Sequence, residues 1–356
     1  MHPEPSASTI KAPRRRVLLA AASAALVAST PSRFFAQAAI AEKVTIASTG
    51  LSTFYGLPLV IAQRRGYFKE EGLGNVEVVE FQGGSKVLQA VVGGSADIAV
   101  GGYDHVVTMQ AKGIDLKAFV ETMRYPAIAV GIGRGLMATY HSPADLRGKT
   151  VGVSSPGSSS HGALNAFLEK NGVKPAEVSV VGLGAPSTAR AAVETGKVDA
   201  ISYVDPTISL LEADGMIRIV ADTRTRAGAE ALYGGEAVSG VCYASKSYID
   251  KHPAAVHAVA NAMRKSLAWI AKATPEQVAD AVPADYLIAD RKLYMTSFTK
   301  FRESIAPPQL ITLDAGRRGV AAALALTPTI KAESIDVAAT IDNSFMQAAM
   351  QKAGGS

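Results

Sequence analysis

The chain has 356 residues, enough to bury a large core, and it is 48% hydrophobic but only 6% aromatic, a balance typical of packed α/β layers. Of its 36 basic and 31 acidic residues, five basic and one acidic lie in residues 1–38, which leaves 31 and 30 downstream. Most of the formal charge of +5 therefore lies in residues 1–38. The remaining chain is nearly neutral and has no cluster of Lys and Arg, which excludes a nucleic-acid partner.

Residues 1–38 have the pattern of an export signal. Arg14, Arg15 and Arg16 precede an uncharged apolar stretch at 17–27 that is too short to span a bilayer. Small residues at 36–38 and 39–41 form two alternative cleavage sites, and we expect cleavage after residue 38. The arginines favour twin-arginine export over an ordinary Sec signal. With no cysteine near the cleavage site for a lipid anchor, we expect a free periplasmic protein.

The chain downstream of the leader alternates apolar runs with amphipathic stretches, and the order β-α-β-α-β occurs twice. The first passage predicts strands at 44–47, 76–80 and 97–100 with helices at 57–71 and 85–92. The second predicts strands at 150–153, 178–181 and 199–203 with helices at 161–171 and 187–194. Further strands are predicted at 116–123 and 238–244, and a long helix follows Pro253. Strands that alternate with helices indicate an α/β fold with parallel sheets.

The two passages also match residue by residue, at offsets of 106 and 102 positions. The shared order of elements favours an internal duplication, and hence two similar lobes. The matched pairs include Gly56 and Gly162, Gly66 and Gly172, Ser85 and Ser187, and Asp97 and Asp199.

A hydroxyl-rich loop follows the first strand of each passage, at residues 48–56 and 154–162. Ligands of parallel α/β sheets bind beyond the carboxyl ends of the strands, where helix starts present free N–H groups. Such loops can hold an oxyanion, and simple helix capping is the alternative. The candidate ligand contacts in the two loops are Ser52, Thr53, Tyr55, Ser155, Ser158, Ser159 and His161.

A tyrosine and an acid follow a later strand of each passage. Tyr103 and Tyr203 are candidate walls of a binding site, and Asp104 and Asp205 either cap the following helices or contact the ligand. Arg124 follows the strand at 116–123, where it either pairs with an anionic ligand or lies on the surface.

The sequence motifs do not favour an enzyme. His161 lies close to several serines, but residues 157–161 place histidine where a nucleophile elbow needs its last glycine, so a hydrolase is not favoured. The single cysteine, Cys242, lies in an apolar run and is expected to be a buried hydrophobe. Metal and nucleotide motifs are not found. We therefore expect no catalytic activity, no metal and no cofactor.

Several segments resemble the periplasmic binding proteins of sulfonate, taurine, nitrate and thiamine-precursor importers, close to the NMT1/THI5-like group. The resemblance covers roughly residues 43–270. The segments that carry it are residues 57–73, 94–97, 145–153, 155–158 and 196–200.

This resemblance implies a type II periplasmic binding protein fold, with two lobes of mixed, largely parallel sheets and two hinge crossings near 125–132 and 233–241. The lobes would comprise residues 39–129 plus 234–356, and residues 130–233. The protein would be a monomer that closes on a small molecule and delivers it to a membrane-embedded ABC permease with its ATPase. The implied ligand is a sulfonate, taurine or nitrate, and a pyrimidine, a thiamine precursor or an aromatic carboxylate is the alternative.

The ligand contacts implied by the resemblance are Ser52, Thr53, Gly84, Ser85, Tyr103, Arg124, Ser158, His161 and Asp205, and Ser187 is the counterpart of Ser85 in the second passage. Many relatives carry tryptophan where this chain has Tyr203, so the ligand's identity stays open. Yeast-type relatives are enzymes that make a pyrimidine from their own histidine and pyridoxal phosphate. They carry a cysteine-rich segment, which this chain, with one cysteine, does not match.

Overall fold

The computed structural model describes residue 40 and residues 42–287, 290–327 and 329–354. The predicted export signal, residues 1–38, lies outside the described residues and stays a prediction. Within the described ranges, no helix combines the length and the apolar character needed to cross a membrane.

The described residues contain ten strands and fifteen α-helices. The strands are β1 (Val44–Thr49), β2 (Val76–Phe81), β3 (Ile98–Gly102), β4 (Leu116–Met123), β5 (Ile128–Gly133), β6 (Thr150–Val153), β7 (Ser179–Gly182), β8 (Ala200–Val204), β9 (Ile217–Asp222) and β10 (Gly240–Ser245). The helices are α1 (Leu57–Arg64), α2 (Tyr67–Glu70), α3 (Gly84–Val92), α4 (Tyr103–Gln110), α5 (Arg134–Met137), α6 (Ser159–Lys170), α7 (Pro186–Glu194), α8 (Thr207–Ala213), α9 (Arg226–Tyr233), α10 (Lys246–Lys251), α11 (Pro253–Lys272), α12 (Pro275–Ala281), α13 (Arg291–Phe301), α14 (Leu313–Leu326) and α15 (Ser344–Gly354).

The strands form two five-stranded sheets with the same topology. Their orders are β2-β1-β3-β10-β4 and β7-β6-β8-β5-β9. In each sheet one strand is antiparallel to both neighbours, β10 in the first and β5 in the second, and the other four run in one direction. The predicted α/β class, with two lobes and mixed, largely parallel sheets, is confirmed. The exact lobe boundaries stay a prediction.

The chain passes between the two sheets twice. It crosses first in residues 124–127, between β4 and β5, and returns in residues 234–239, between α9 and β10. The second crossing lies within its expected range and the first begins one residue before its own, but those ranges also include parts of β5 and β10. The apolar run at 128–133 is a strand, because it pairs with β8 and β9 in the second sheet.

Matched positions of the two passages have the same local structure. Gly66 and Gly172 both adopt positive φ, +74° and +71°, where glycine is favoured. The turn at Gly66 divides the predicted helix at 57–71 into α1 and α2. A carboxylate oxygen of Asp97 accepts the Thr45 N–H at 2.7 Å, and Asp199 accepts the Thr150 N–H at 2.8 Å. Equivalent aspartates therefore connect equivalent strands.

Both faces of the first sheet are covered by apolar side chains. Ile98 and Val100 of β3 pack into one cluster with α1 and α11, and Ala99 packs into another with α3 and α4. Cys242 of β10 is fully buried in the first cluster, and burial raises the pKa of its thiol. This burial on both faces explains why the strands read as short continuous apolar runs.

Candidate functional site

A cavity of about 500 Å³ lies between the two sheets. Its wall includes residues at or just beyond the carboxyl ends of β1, β2 and β3 in the first lobe and of β6, β7 and β8 in the second. Strand directions bring these ends to one edge of each sheet, the usual position of ligand sites in α/β folds.

The cavity brings together eight of the predicted contacts. They come from both lobes, and each carries a hydroxyl group except for one glycine. The eight are Ser52, Thr53, Tyr55, Gly84, Ser158, Ser159, Ser187 and Tyr203.

The hydroxyls of the second loop form a compact cluster. Ser154, Ser158 and Ser160 lie within hydrogen-bond distance of one another, at 2.9–3.0 Å between oxygens. Ser158 is the N-cap residue of α6, yet its hydroxyl makes no capping bond, and the N-cap of α1 is Gly56. Side-chain capping therefore does not account for the hydroxyls at these two helix starts.

Seven predicted contacts are not part of the cavity wall: Ser85, Tyr103, Asp104, Arg124, Ser155, His161 and Asp205. Ser85 and Ser155 face each other instead, with hydroxyl oxygens 3.0 Å apart, one from each lobe. Tyr103 is fully buried in the first lobe, 2.6 Å from the Thr340 hydroxyl, because α4 packs against the C-terminal segment.

Arg124 and His161 are also occupied by protein groups. Arg124 lies in the first crossing, donates to the Glu303 carbonyl at 2.8 Å and pairs with Glu236 at 3.5 Å. His161 accepts the Gly157 N–H on Nδ1 at 3.0 Å. Burial lowers the pKa of His161, which favours the neutral ring.

The two aspartates have different roles. Asp205 accepts the N–H of Ser209 in the first turn of α8 at 2.9 Å and forms an ion pair with Arg224, so it caps and pairs within its own lobe. Asp104 does not cap α4, and its Oδ1 accepts the Ser159 hydroxyl of the other lobe at 2.8 Å. A Cβ at Gly102 would lie 2.1 Å from that Asp104 oxygen, so glycine leaves room for the contact.

The wall contains functional groups that the sequence patterns did not identify. Arg190 of α7 is the only arginine or lysine in the described wall, and it pairs with Glu194 and Asp214. Glu80 accepts the Leu51 N–H at 2.8 Å, and Asp285 adds a second carboxylate. His105 also faces the cavity. The signal available for His105 was its place in the first turn of α4, directly after β3, whereas Arg190 lies one turn into α7.

Comparison with known proteins shows which family this chain resembles. A family model described as NMT1/THI5 like matches residues 53–278. The chain is 26% identical over 205 residues to the taurine-binding periplasmic protein of Escherichia coli (strain K12), a match that covers 57% of this chain and 60% of that protein. It is 27% identical over 161 residues to the 4-amino-5-hydroxymethyl-2-methylpyrimidine phosphate synthase THI13 of Saccharomyces cerevisiae, covering 45% of each.

Among solved structures, a protein of Bordetella bronchiseptica RB50 is 40% identical, with a TM-score of 0.85 over 88% of this chain and 98% of that chain. At lower identity the fold matches solved periplasmic binding proteins. The resemblance inferred from the sequence motifs is confirmed by these matches.

Proposed function

The chain belongs to the NMT1/THI5-like family, and from this premise we propose that it is the substrate-binding component of an ABC importer. It captures a small oxyanion, of the sulfonate, taurine or nitrate class, between its lobes by hinge closure. Export to the periplasm, a monomeric state and transfer of the ligand to a permease with its ATPase belong to the same proposal.

The observation that carries the proposal is a hydroxyl-lined cavity at which helix starts from both lobes meet. Gly84 begins α3 in the first lobe, and Ser159 and Pro186 begin α6 and α7 in the second. Helix N-termini carry free N–H groups and partial positive charge, which stabilise an anion without a bulky cation. A ligand held by both lobes stabilises the closed arrangement.

The charged residues in the wall narrow the ligand class. Arg190 is accompanied by two carboxylates, Glu80 and Asp285, so the acidic side chains of the described wall outnumber the basic one. This balance suits a singly charged head held by neutral donors better than a dianion. It also suits a ligand that carries an ammonium group near a carboxylate, as taurine does.

A ligand panel tests the proposal. Residues 39–356 are purified, and thermal unfolding is recorded with taurine, ethanesulfonate, nitrate, a hydroxymethylpyrimidine and benzoate. We expect an oxyanion to raise the unfolding temperature, because a ligand at 100 times its Kd stabilises the folded state by about 2.7 kcal/mol. Binding of the pyrimidine or benzoate alone would support the alternative ligand class and overturn the oxyanion.

Ser158→Asp tests the second hydroxyl loop. Aspartate is a good N-cap residue, so the fold should persist, but its carboxylate would repel an anion. We expect affinity for the bound oxyanion to fall more than tenfold, a loss above about 1.4 kcal/mol. The control is Ser334→Asp, an exposed serine outside the cavity wall. Unchanged affinity in a folded Ser158→Asp protein would place the polar end of the ligand elsewhere.

A pyrimidine-synthesising enzyme is the second candidate, supported by the match to the yeast synthase. Pyridoxal bound to a lysine would absorb visible light, so the test is the spectrum of the purified protein after incubation with pyridoxal phosphate. We expect no such band, because the described cavity wall contains no lysine to form it. A stable band that is lost on mutation of one lysine would favour the enzyme.

A further inference from the structure

His105 places an unpaired polar atom in the wall of the cavity. It lies in the first turn of α4, is 2% exposed, and its Nε2 atom is buried without a hydrogen-bond partner among the described residues. Buried polar atoms are nearly always hydrogen-bonded, since an unmade bond costs free energy. An unpaired nitrogen at a ligand cavity therefore points to a bond made with the ligand.

Tyr243 contacts the other ring nitrogen of His105. Its hydroxyl lies 3.4 Å from Nδ1 of His105, at the long end of the hydrogen-bond range. Burial raises the pKa of Tyr243, so its phenol keeps its proton, and Nδ1 is the partner that the described residues offer it. A neutral imidazole that accepts on Nδ1 carries its hydrogen on Nε2. The unpaired Nε2 atom is then a donor.

The Nε2 edge of the ring lies where helix starts from the two lobes approach each other. A Cβ added at Gly84, the first residue of α3, would be 3.0 Å from Cε1 of His105 and 3.5 Å from Nε2. The same position is 3.9 Å from Cβ of Ser158, the N-cap residue of α6. Glycine at position 84 therefore keeps free a small space bordered by the His105 ring, the Ser158 side chain and two helix starts.

We propose that His105 donates from Nε2 to an oxygen of the bound oxyanion, and that Tyr243 is the positioning residue that holds the ring in this tautomer. This inference rests on the proposed function and narrows it. The ligand presents an unprotonated, charged oxygen beside Gly84 and Ser158. A ligand whose head offers only donors, such as an ammonium group, is disfavoured at this point.

Binding of ethanesulfonate, with taurine as the second probe, tests the role of His105. Calorimetry on His105→Phe, which keeps the ring size but removes the donor, should show affinity at least tenfold weaker. His105→Gln retains an N–H group on a shorter side chain and should recover part of the loss. The control is His141→Phe, at an exposed position outside the cavity wall. Circular dichroism confirms that each variant is folded.

The tautomer is tested without a ligand. Long-range proton–nitrogen NMR of the wild type should show His105 protonated at Nε2, and Tyr243→Phe should shift the ring toward a mixture of tautomers and weaken binding severalfold. The His105→Gln spectrum assigns the signal.

The outcomes separate the inference from the proposed function. If the wild type binds ethanesulfonate and His105→Phe binds it equally well, or if the proton lies on Nδ1, the inference is overturned and the function stands. If the wild type binds no oxyanion of the panel, the inference about His105 and the proposed function are both overturned.

Discussion

Arg224 and Asp205 form an ion pair in which both side chains are fully buried. The guanidinium Nη1 lies 3.1 Å from Asp205 Oδ1, and Nη2 lies 2.6 Å from Asp222 Oδ2. Burial removes both charges from water, so each depends on its partner for compensation. Sequence reasoning left Asp205 between capping and ligand binding, and its pairing with Arg224, from the end of a different strand, makes it a structural residue.

Arg224→Met should be strongly destabilising, because it leaves the Asp205 carboxylate buried and unpaired. We expect the free energy of unfolding to fall by about 3–5 kcal/mol, measured by urea denaturation. The double variant Arg224→Met with Asp205→Asn should recover part of this loss. The control is Lys246→Met, which breaks a solvent-exposed pair with Asp250 and should cost far less. Equal stability of the two single variants would contradict the interpretation.

Glu121 is a buried acid near the end of β4, just before the first crossing. It is 3% exposed on β4, and Gln309 donates to it at 2.6 Å. Burial raises the pKa of its carboxyl to about 7, the Gln309 bond opposes the rise, and the charge of Glu236 adds to it while Arg124 opposes it. In the folded protein the protonated carboxyl is therefore favoured below about pH 7.

This raised pKa predicts a pH dependence of stability. The folded state binds more protons than the unfolded state between the reference pKa of 4.5 and about 7, so stability should fall as pH rises through that window. The wild type should lose about 3 kcal/mol relative to Glu121→Gln across it. Urea denaturation at pH 4.5 to 8 measures the difference. Glu236→Gln should lower the upper end of the window, and parallel curves for wild type and Glu121→Gln would reject the assignment.

Among the secondary-structure elements, an aspartate joins two neighbouring parallel strands in each of the two sheets. The Asp97 carboxylate accepts the N–H of Thr45, and the Asp97 N–H donates to the Thr45 carbonyl at 2.9 Å. Asp199 makes the same pair of bonds with Thr150. Each aspartate thus fixes the start of β3 or β8 against the start of β1 or β6, which sets the register of the parallel pair.

Because the two connections are equivalent, Asp97→Ala and Asp199→Ala should destabilise the protein by similar amounts. Each removes a hydrogen bond to a charged group, worth about 1.5–3 kcal/mol. Denaturation of both variants beside Asp250→Ala, an exposed control, measures the costs. A large cost in only one half would show that the two lobes do not use the aspartate alike.

At the scale of the whole molecule, direct bonds join the two lobes around the cavity. Ser85 faces Ser155, and Asp104 accepts from Ser159. The Phe54 N–H donates to the Asp205 carbonyl at 3.0 Å. Two short crossings and a set of polar contacts are a suitable basis for hinge motion, since the contacts are re-formed with water when the lobes separate.

Ser85→Cys with Ser155→Cys should allow the lobes to be locked. The native hydroxyls are 3.0 Å apart, which places the two side chains close enough for a disulfide, and Cys242 is buried and should not compete. In the oxidised protein, ethanesulfonate exchange should slow at least tenfold, and small-angle scattering should show the same radius of gyration with and without ligand. The reduced protein should contract on binding. The Ser85→Cys single variant is the control, and equal exchange in both redox states would exclude hinge closure.

Local sequence patterns predicted the order of most elements, the internal match between the two passages and the loops that border the cavity. Apolar periodicity is a local property, and the rule that parallel strands place ligand loops at their carboxyl ends needs only strand directions. Eight predicted contacts, among them Ser52 and Ser158, accordingly lie in the cavity wall. The family resemblance also followed from local motifs.

Tertiary packing determines which polar groups are free for a ligand. Asp205 is paired with Arg224, Asp104 with Ser159 of the other lobe, and His105 keeps an open nitrogen because Tyr243 occupies the other one. These partners are 19 to 138 residues apart in the chain. The same holds for β5, whose reversed direction depends on pairing with β8 and β9. Hydrogen-bond partners and strand neighbours at such distances are set by packing, and periodicity and local motifs do not record them.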